Sequence, residues 1–222
     1  MIRMWFWISS VFFVIGCQAV APGGPEIPGT LLSLPNDVGQ AVLVKSPGQG
    51  NFQAKLSAWE RKDGTWRIFM EPVDAVIGRN GLAPPGEKKE GDGRSPSGIF
   101  DLRRAFGYDA DAQTKLVYRQ VTGLDIWVDD PGASDYNQWA TLPTQAKSFE
   151  YLKREDNLYK YAVVIEYNTA PVVPGSGSAI FLHIWRGPDK PTSGCVAISK
   201  ENLLKLISRL NALDQPGIIL EK

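Results

Sequence analysis

A succession of short β-rich segments from residue 41 onward most strongly limits the fold of this chain. Short runs rich in Val, Ile, Tyr, Phe and Trp, bounded by Gly, Pro, Asn or Asp, are typical of strands and turns. The pattern predicts strands at residues 41–45, 54–59, 65–70, 73–77, 99–102, 116–121, 125–128, 161–167, 179–185 and 217–220, the last of them closing an edge. We therefore expect a mainly β domain with a few helices.

Two regions favour helices. The sequence is more polar between Asn137 and Tyr159, and there we expect one or two helices that cross the sheet. A clearer helix follows Ser199, a residue type that caps helix N-termini, because leucines and one isoleucine recur at helical spacing from residue 203 to residue 210. We expect this last helix to pack on the sheet beside the site discussed below.

The composition excludes one class of partner. The 222 residues include 24 basic and 24 acidic side chains, so the chain lacks the basic excess that binds a phosphate backbone. We expect no nucleic-acid partner and a single turn-rich globular domain, because 22 Gly and 16 Pro are spread through a chain with 43% hydrophobic residues.

The first sixteen residues predict export. Arg3 precedes an apolar run over residues 5–15 that is typical of a signal peptide and too short to cross a bilayer comfortably. Residues 14–17 then have the form of a bacterial lipobox, which predicts that Cys17 is lipidated and becomes the mature N-terminus. The alternative is ordinary cleavage after Ala21, although Pro22 would make a poor peptide bond to cut.

The domain organisation follows from this start. We expect a signal peptide over residues 1–16, a lipidated Cys17 with a Pro/Gly-rich tether to residue 40, and the folded domain over residues 41–222. Residues 21–35 carry most of the Pro and Gly of the tether, so we expect them to be poorly ordered. Because Gln18 is not the Asp that commonly retains lipoproteins at the inner membrane, we expect a periplasmic protein anchored in the outer membrane.

The chain contains 2 Cys and 1 His. If Cys17 carries lipid, the mature protein has one thiol, Cys195, and one imidazole, His183, twelve positions earlier. An unpaired thiol in an oxidising compartment favours a chemical role. The structural alternative is that each residue alone only fills space in the core.

The residues around the pair favour nucleophilic chemistry. His183 lies near the end of an apolar strand, and Gly194 precedes the thiol without a Cβ that would block a carbonyl. Backbone N–H groups could then converge on the oxygen of that carbonyl. A thiol with a pKa of about 8.5 attacks poorly near pH 7 unless an imidazole takes its proton.

Two segments together resemble a known family. The strand at 181–185 with residues 190–196 resembles the signature of L,D-transpeptidases of the YkuD type, which is His, a loop, then Ser or Thr, any residue, Gly and Cys. Residues 91–100 resemble the family's second segment, Thr or Ser, Pro, any residue, Gly, any residue, Phe. Residues 129–131 and 136–137 are similar to a longer branch of the family.

The resemblance implies a fold and a reaction. The fold would be the β-sandwich or barrel of this family, with residues 41–222 as its catalytic domain. We expect a monomer. Cys195 would attack the terminal L,D bond of a peptidoglycan stem peptide, release D-alanine, and pass a thioester-bound acyl group to an amine of a second stem. The amides of Gly194 and Cys195 would hold the oxyanion. His183 would move the protons, with its tautomer held by the carbonyl of Ile184. Carbapenems would acylate Cys195.

One departure affects substrate binding. Many family members carry Arg two residues after the cysteine, where this chain has Ala197. Arg186 is the nearest basic candidate to replace it, against the alternative of a solvated loop charge. Thr192 and Ser193 are the other candidate substrate contacts.

Other functions have weaker support. One His and one Cys cannot complete a zinc site, so neither a metal nor another cofactor is expected. Asp129 and Asp130 are interpreted as solvated turn acids rather than ligands of a hard cation. The alternatives that stay open are a hydrolase, acting as an L,D-carboxypeptidase or cell-wall amidase, and a non-catalytic lipoprotein that binds peptidoglycan.

Overall fold

The computed structural model describes residues 26–48 and 50–222, so the predicted signal peptide and Cys17 lie outside the described residues. Two α-helices in this part of the chain are α1 at Gly29–Leu32 and α2 at Lys200–Arg209, followed by a 3-10 turn at Ala212–Asp214. The strands are β1 Gln40–Lys45, β2 Gln53–Lys62, β3 Thr65–Val76, β4 Gly98–Asp101, β5 Arg104–Gly107, β6 Val117–Gln120, β7 Asp125–Val128, β8 Trp139–Thr141, β9 Phe149–Tyr151, β10 Tyr161–Val164, β11 Phe181–Ile184, β12 Val196–Ile198 and β13 Gly217–Glu221. The predicted mainly β fold is confirmed.

Ten strands form one curled sheet in the order β4-β13-β1-β2-β3-β12-β11-β10-β5-β6. The remaining three form a small sheet in the order β8-β7-β9. Most neighbours are antiparallel, but β11 and β12 run parallel with His183 opposite Ala197. Strand β13 lies between β4 and β1, so the expectation that it closes an edge is wrong, and the described edges are β4 and β6.

The curled sheet buries side chains on both faces because alternate residues of a strand point in opposite directions. On the inner face, Leu182 and Val196 belong to a cluster that includes α2. On the outer face, Phe181 and Cys195 belong to a second cluster built largely from aromatic rings. Edge-to-face contacts dominate this second cluster, for example Phe106 with Phe181 at 5.2 Å between ring centroids.

Helix α2 begins as the sequence predicts. Ser199 caps it by accepting a hydrogen bond from the Asn202 amide at 3.2 Å. Leu203, Leu206 and Ile207 point into the inner cluster, where they are almost fully buried. Each such leucine contributes stability on the scale of roughly 2–5 kcal/mol, the usual cost of truncating it to alanine.

The helices predicted between Asn137 and Tyr159 are wrong, because this region supplies β8 and β9 instead. In the small sheet Trp127 of β7 lies opposite Trp139 of β8 and Glu150 of β9. The Trp139 ring also meets Phe106 edge-on at 5.6 Å. Burial of these rings against the main sheet outweighs the weak local preference of a polar sequence for helix.

The described part of the predicted tether also differs from expectation. Leu31 and Leu34 are buried against the outer face of β1 and β2, next to Trp59 and Trp66. The Trp66 indole donates a 2.9 Å hydrogen bond to the Leu31 carbonyl. Residues 26–35 are therefore packed on the domain, because their few apolar side chains find a complementary surface. No helix in the described ranges is long and apolar enough to cross a membrane.

Candidate active site

His183 and Cys195 reach the same face of the sheet by strand register. His183 lies on β11 opposite Ala197 of β12, and Cys195 directly precedes β12. Because positions 195 and 197 point the same way, the thiol, the imidazole and the Ala197 methyl all face the outer side. Leu182 points to the inner side, where α2 packs. The predicted groove beside the last helix is therefore wrong, since the sheet separates the site from α2.

Both residues line a pocket of about 220 Å³. Its wall carries charges of both signs; these are Glu90, Asp129 and Glu150, and Lys88, Arg154, Arg186 and Lys190. Thr192, Ser193 and Gly194 form the rim beside the thiol. No group of three or more His, Cys, Asp or Glu side chains within the described ranges is arranged to hold a metal ion.

The imidazole of His183 is held in one tautomer. Its Nδ1 lies 2.8 Å from the Ile184 carbonyl oxygen. Since a carbonyl only accepts hydrogen bonds, Nδ1 carries the hydrogen and the neutral ring has its lone pair on Nε2. Burial lowers the pKa of His183 to about 4. The contact expected for Ile184 is thus present, and the ring is a neutral base near pH 7.

The Cys195 thiol is buried and neutral. Its Sγ lies 3.3 Å from the Ala179 carbonyl oxygen and accepts a hydrogen bond from the Phe181 amide at 3.4 Å. Burial, assisted by the charge of Glu150, raises the pKa of Cys195 to about 12. The resting pair is therefore a thiol and an imidazole, not a thiolate and an imidazolium.

Ser95, from the second family-like segment, fastens the backbone under the thiol. Its buried hydroxyl donates to the Gly194 carbonyl at 2.6 Å and accepts from the Gly78 amide at 3.0 Å. A Cβ on Gly78 would come within 2.5 Å of the Gly93 carbonyl oxygen, so only glycine allows this approach. The segment thus ties the cysteine loop to the end of β3.

Thr192 organises the rim. Its hydroxyl donates to the Cys195 carbonyl at 2.6 Å and accepts from the Gly194 amide at 3.2 Å. If the Gly194 amide is to donate to an oxyanion, it must give up its 3.2 Å hydrogen bond to the Thr192 hydroxyl. Ser193 is exposed, and its hydroxyl lies 3.5 Å from Arg79 Nη1. Substrate contacts of Thr192 and Ser193, and the oxyanion role of Gly194, stay predictions.

A network that the sequence reasoning missed connects the thiol to Arg186. Tyr159 donates its hydroxyl to Glu150 Oε1 at 2.8 Å, and Arg154 donates to the same oxygen at 2.8 Å. Arg154 also holds both carboxylate oxygens of Asp156, at 2.9 and 2.7 Å. Asp156 in turn accepts from Arg186 at 2.9 Å. The Tyr159 ring lies edge-on to the imidazole, with centroids 5.0 Å apart.

The network gives the two arginines different roles. Arg154 uses both sides of its guanidinium on Glu150 and Asp156, which leaves it little capacity for a ligand. Arg186 makes one ion pair and is more than half exposed. Arg186 also lines the pocket, so its charge is available to a ligand there, while the ion pair with Asp156 restricts the position of its guanidinium. The sequence signal for this network is the density of charge over residues 150–156.

Tyr136 and Asn137 support residues of the pocket wall next to the thiol. The side-chain Oδ1 of Asn137 accepts from the Trp127 indole at 2.8 Å and from the Ala179 amide at 3.1 Å. Ala179 has a φ of 53°, which costs a non-glycine residue energy and so needs such support. The Tyr136 hydroxyl donates to Glu90, which lines the pocket. This pair fixes the carbonyl that the resting thiol contacts.

One family of known proteins matches most of the chain. Residues 52–217 match the family described as "YkuD: L,D-transpeptidase catalytic domain". No curated protein matches the chain. A similar solved structure is that of the helical cell shape determining protein Pgp2 from Campylobacter jejuni, with 16% identity and a TM-score of 0.40. That similarity covers 83% of this chain and 48% of the other, so this chain spans about half the length of Pgp2.

Proposed function

Because the chain belongs to the YkuD family of L,D-transpeptidase catalytic domains, we propose that it is a cysteine-dependent L,D-transpeptidase of peptidoglycan stem peptides. One observation carries the proposal. The only thiol and the only imidazole in the described residues share one face of two paired strands and line one pocket. Such a pair supports acyl transfer through a thioester.

The first half-reaction forms the acyl-enzyme. Cys195 Sγ attacks the carbonyl carbon of the peptide bond that precedes the terminal D-alanine, and the thiol proton passes to His183 Nε2. An S–C bond forms, and the amides of Gly194 and Cys195 hold the resulting oxyanion. When the intermediate collapses, the C–N bond breaks and His183 returns the proton to the leaving amine. D-Alanine departs and a thioester stays on Cys195.

The second half-reaction closes the cross-link. An amine of a second stem attacks the thioester carbonyl and gives its proton to His183 as the new C–N bond forms. The C–S bond then breaks, and the proton on His183 returns to the sulfur. The neutral thiol and the neutral base are restored, so the cycle needs no net proton.

The neutral resting pair decides how the first step begins. Because the pKa of Cys195 is raised to about 12 and that of His183 is lowered to about 4, an ion pair is unfavourable before substrate binds. Proton transfer must therefore accompany the attack on the carbonyl. The sulfur must also leave its contact with Ala179, 3.3 Å away, before it can face Nε2.

Arg186 is our candidate for the group that binds the donor's terminal carboxylate. A planar guanidinium can hold a carboxylate through two parallel hydrogen bonds, and Asp156 occupies only one Nη of Arg186. The position two residues after the cysteine, where many family members carry Arg, offers no guanidinium here, because it is Ala197, which lines the pocket. Thr192 and Ser193 would contact the donor along the rim.

Mass spectrometry of muropeptides incubated with the purified protein tests the reaction. New dimers that appear together with free D-alanine support the transpeptidase. Shortened stems without dimers would instead indicate a hydrolase, an L,D-carboxypeptidase or amidase in which water takes the acyl group. Unchanged muropeptides with a stable fold would leave the binding lipoprotein as the better description.

We also propose that lipid on Cys17 anchors the protein in the outer membrane. This residue lies outside the described residues, and the proposal rests on the form of residues 14–17 and on Gln18. Cys17→Ala should block lipidation and maturation, which a mass shift and membrane fractionation would reveal. An unmodified, soluble periplasmic form of the natural chain would contradict the anchor.

A further inference from the structure

Two neighbouring carboxylates at the end of β7 differ sharply in their contacts. Asp130 uses both oxygens, accepting from the Gly132 amide at 2.9 Å and from the Lys147 amide at 2.8 Å. Asp129 Oδ1 is buried without a hydrogen-bond partner among the described residues. A turn therefore explains Asp130 but not Asp129, because an unsatisfied buried carboxylate oxygen costs free energy.

Strand register carries Asp129 to the pocket. Trp127 of β7 lies opposite Glu150 of β9, and position 129 points to the same side of the small sheet as position 127. Asp129 accordingly lines the same pocket as Cys195. Glu150 lines this pocket too. Burial raises the pKa of Glu150, and the charge of Asp129 adds to this effect.

The other pocket acids already have partners. Glu90 accepts from Tyr136 and from Ser178, the latter at 2.6 Å. Glu150 accepts from Tyr159 and Arg154. Arg154 is itself bound to two carboxylates, so its charge does not compensate that of Asp129. What is missing at Asp129 is a donor that also brings positive charge.

We propose that Asp129 is a binding site for an ammonium group of the stem peptide, in the pocket that holds Cys195. The proposal rests on the proposed function for the identity of the ligand. A stem that can accept an acyl group must carry a side-chain amine, and an aliphatic amine is protonated near pH 7. Such an ammonium supplies both the hydrogen bond and the charge that Asp129 lacks.

The binding experiment uses the full chain with Cys195→Ala, which cannot turn over its ligand. Calorimetry measures the affinity for a stem tetrapeptide with a free side-chain amine and for the same peptide with that amine acetylated. Acetylation should weaken binding roughly ten- to hundredfold, the range expected for one hydrogen bond to a charged group. In Cys195→Ala/Asp129→Asn the two peptides should bind alike.

Asp130→Asn is the matched control, since it changes the adjacent carboxylate and keeps an acceptor for the turn. This control should retain the full preference for the free amine. Equal binding of both peptides, no binding of either, or a preference that survives Asp129→Asn would overturn the proposal. The Asp129 variant must still bind both peptides with measurable and equal affinity, so a folding defect, which would abolish binding of both, does not reproduce the expected result.

Kinetics with the natural chain then separate two sources of the ammonium. Slower D-alanine release from an acetylated donor would place the donor's own side chain at Asp129. Unchanged release with lower yield of dimers from an acetylated acceptor would place the acceptor amine there. Both results support the site. Amine-dependent binding without any cleavage would contradict the proposed reaction alone, whereas cleavage without amine dependence would contradict only the Asp129 proposal.

Discussion

The inner and outer faces of β11 and β12 draw on the same seven strand residues and their neighbours for opposite purposes. On the inner face, Leu182 and Val196 are fully buried against apolar side chains and α2. On the outer face, His183 and Cys195 are nearly as buried, at 5% and 7% exposed, but each is a polar group whose charged form is penalised. Adjacent residues of one strand thus serve different purposes: one packs in the core, and the next lies in the candidate active site.

The difference teaches that burial stabilises the fold on one face and selects protonation states on the other. Apolar burial contributes about 25 cal/mol for each Å² removed from water. Burial of an imidazole or a thiol instead favours the neutral form and so sets the starting state of the reaction. Substitutions on the two faces should therefore separate in what they damage.

The largest expected effect is on the outer face. His183→Ala should slow formation of a carbapenem adduct on Cys195 by a factor on the order of 10²–10⁴, because the thiol loses its base. Intact-protein mass spectrometry follows the adduct, and Cys195→Ala should form none. Adduct formation at an equal rate without the imidazole would remove His183 from the mechanism.

The complementary change on the inner face is Leu206→Ala. Truncation of this fully buried leucine should lower the free energy of unfolding by about 2–5 kcal/mol while the folded protein keeps its adduct rate. Urea denaturation measures the first quantity. Leu213→Ala is the matched control, because Leu213 is 89% exposed and should cost little. A lower adduct rate in folded Leu206→Ala would show that the two faces are coupled.

The pH dependence of stability sharpens the same comparison. With the pKa of folded His183 at about 4 and the ordinary value at about 6.5, the unfolded chain binds a proton between these values that the folded chain does not. Stability should therefore fall as the pH decreases, by about 2 kcal/mol from pH 7 to pH 4.5 through this residue. His183→Asn should remove that component in urea titrations at the two pH values, and an unchanged difference would refute it.

The contribution of Cys195 to the pH dependence of stability has the opposite sign, and it acts at high pH. Since its folded pKa is raised to about 12, unfolding favours loss of the thiol proton above the ordinary value of about 8.5. Stability should decrease as the pH rises from about 9 toward 12, and Cys195→Ser should show a smaller decrease. Alkylation of the natural thiol by a small neutral reagent should be slow at pH 7.

The smallest expected effect concerns the pocket rim. Arg186→Lys should raise KM for tetrapeptide donors by up to about tenfold, because an ammonium cannot replace two parallel hydrogen bonds, and should leave alkylation of Cys195 unchanged. Arg103→Lys is a suitable control, since Arg103 is also an exposed arginine that makes one ion pair, with Asp101, away from the pocket. Normal turnover of the donor by Arg186→Ala would mean that the charge is only solvated.

Local signals in the sequence were sufficient for part of this picture. Runs of apolar and β-branched or aromatic residues predict β1, β2 and β7, and Ser199 with its following leucines predicts α2. Because the chain has one His and only two Cys, the sequence alone identifies His183 and Cys195, which both line the pocket. These features depend on neighbours in the chain, which a sequence displays directly.

Contacts between distant segments account for what was missed. Glu150 and Arg154 are four positions apart, a spacing that suits a helix surface, yet they meet across the end of β9. The side of the sheet on which α2 packs depends on how the whole sheet curls. Strands β5 and β12, with four and three residues, are too short to show an alternation, and pairing with their neighbours defines them.

If Cys17 carries the proposed lipid anchor, the docking of α1 limits how far from the membrane the domain can reach. Ile27 already contacts the apolar cluster around Leu31, so only ten positions separate the proposed anchor at Cys17 from the folded domain. Even fully extended, that span covers no more than about 35 Å. Had the chain been free to residue 40, the same estimate would allow about 80 Å. An anchored enzyme of this design would act on the layer of cell wall nearest the membrane, and lengthening the span before Ile27 would extend its working radius.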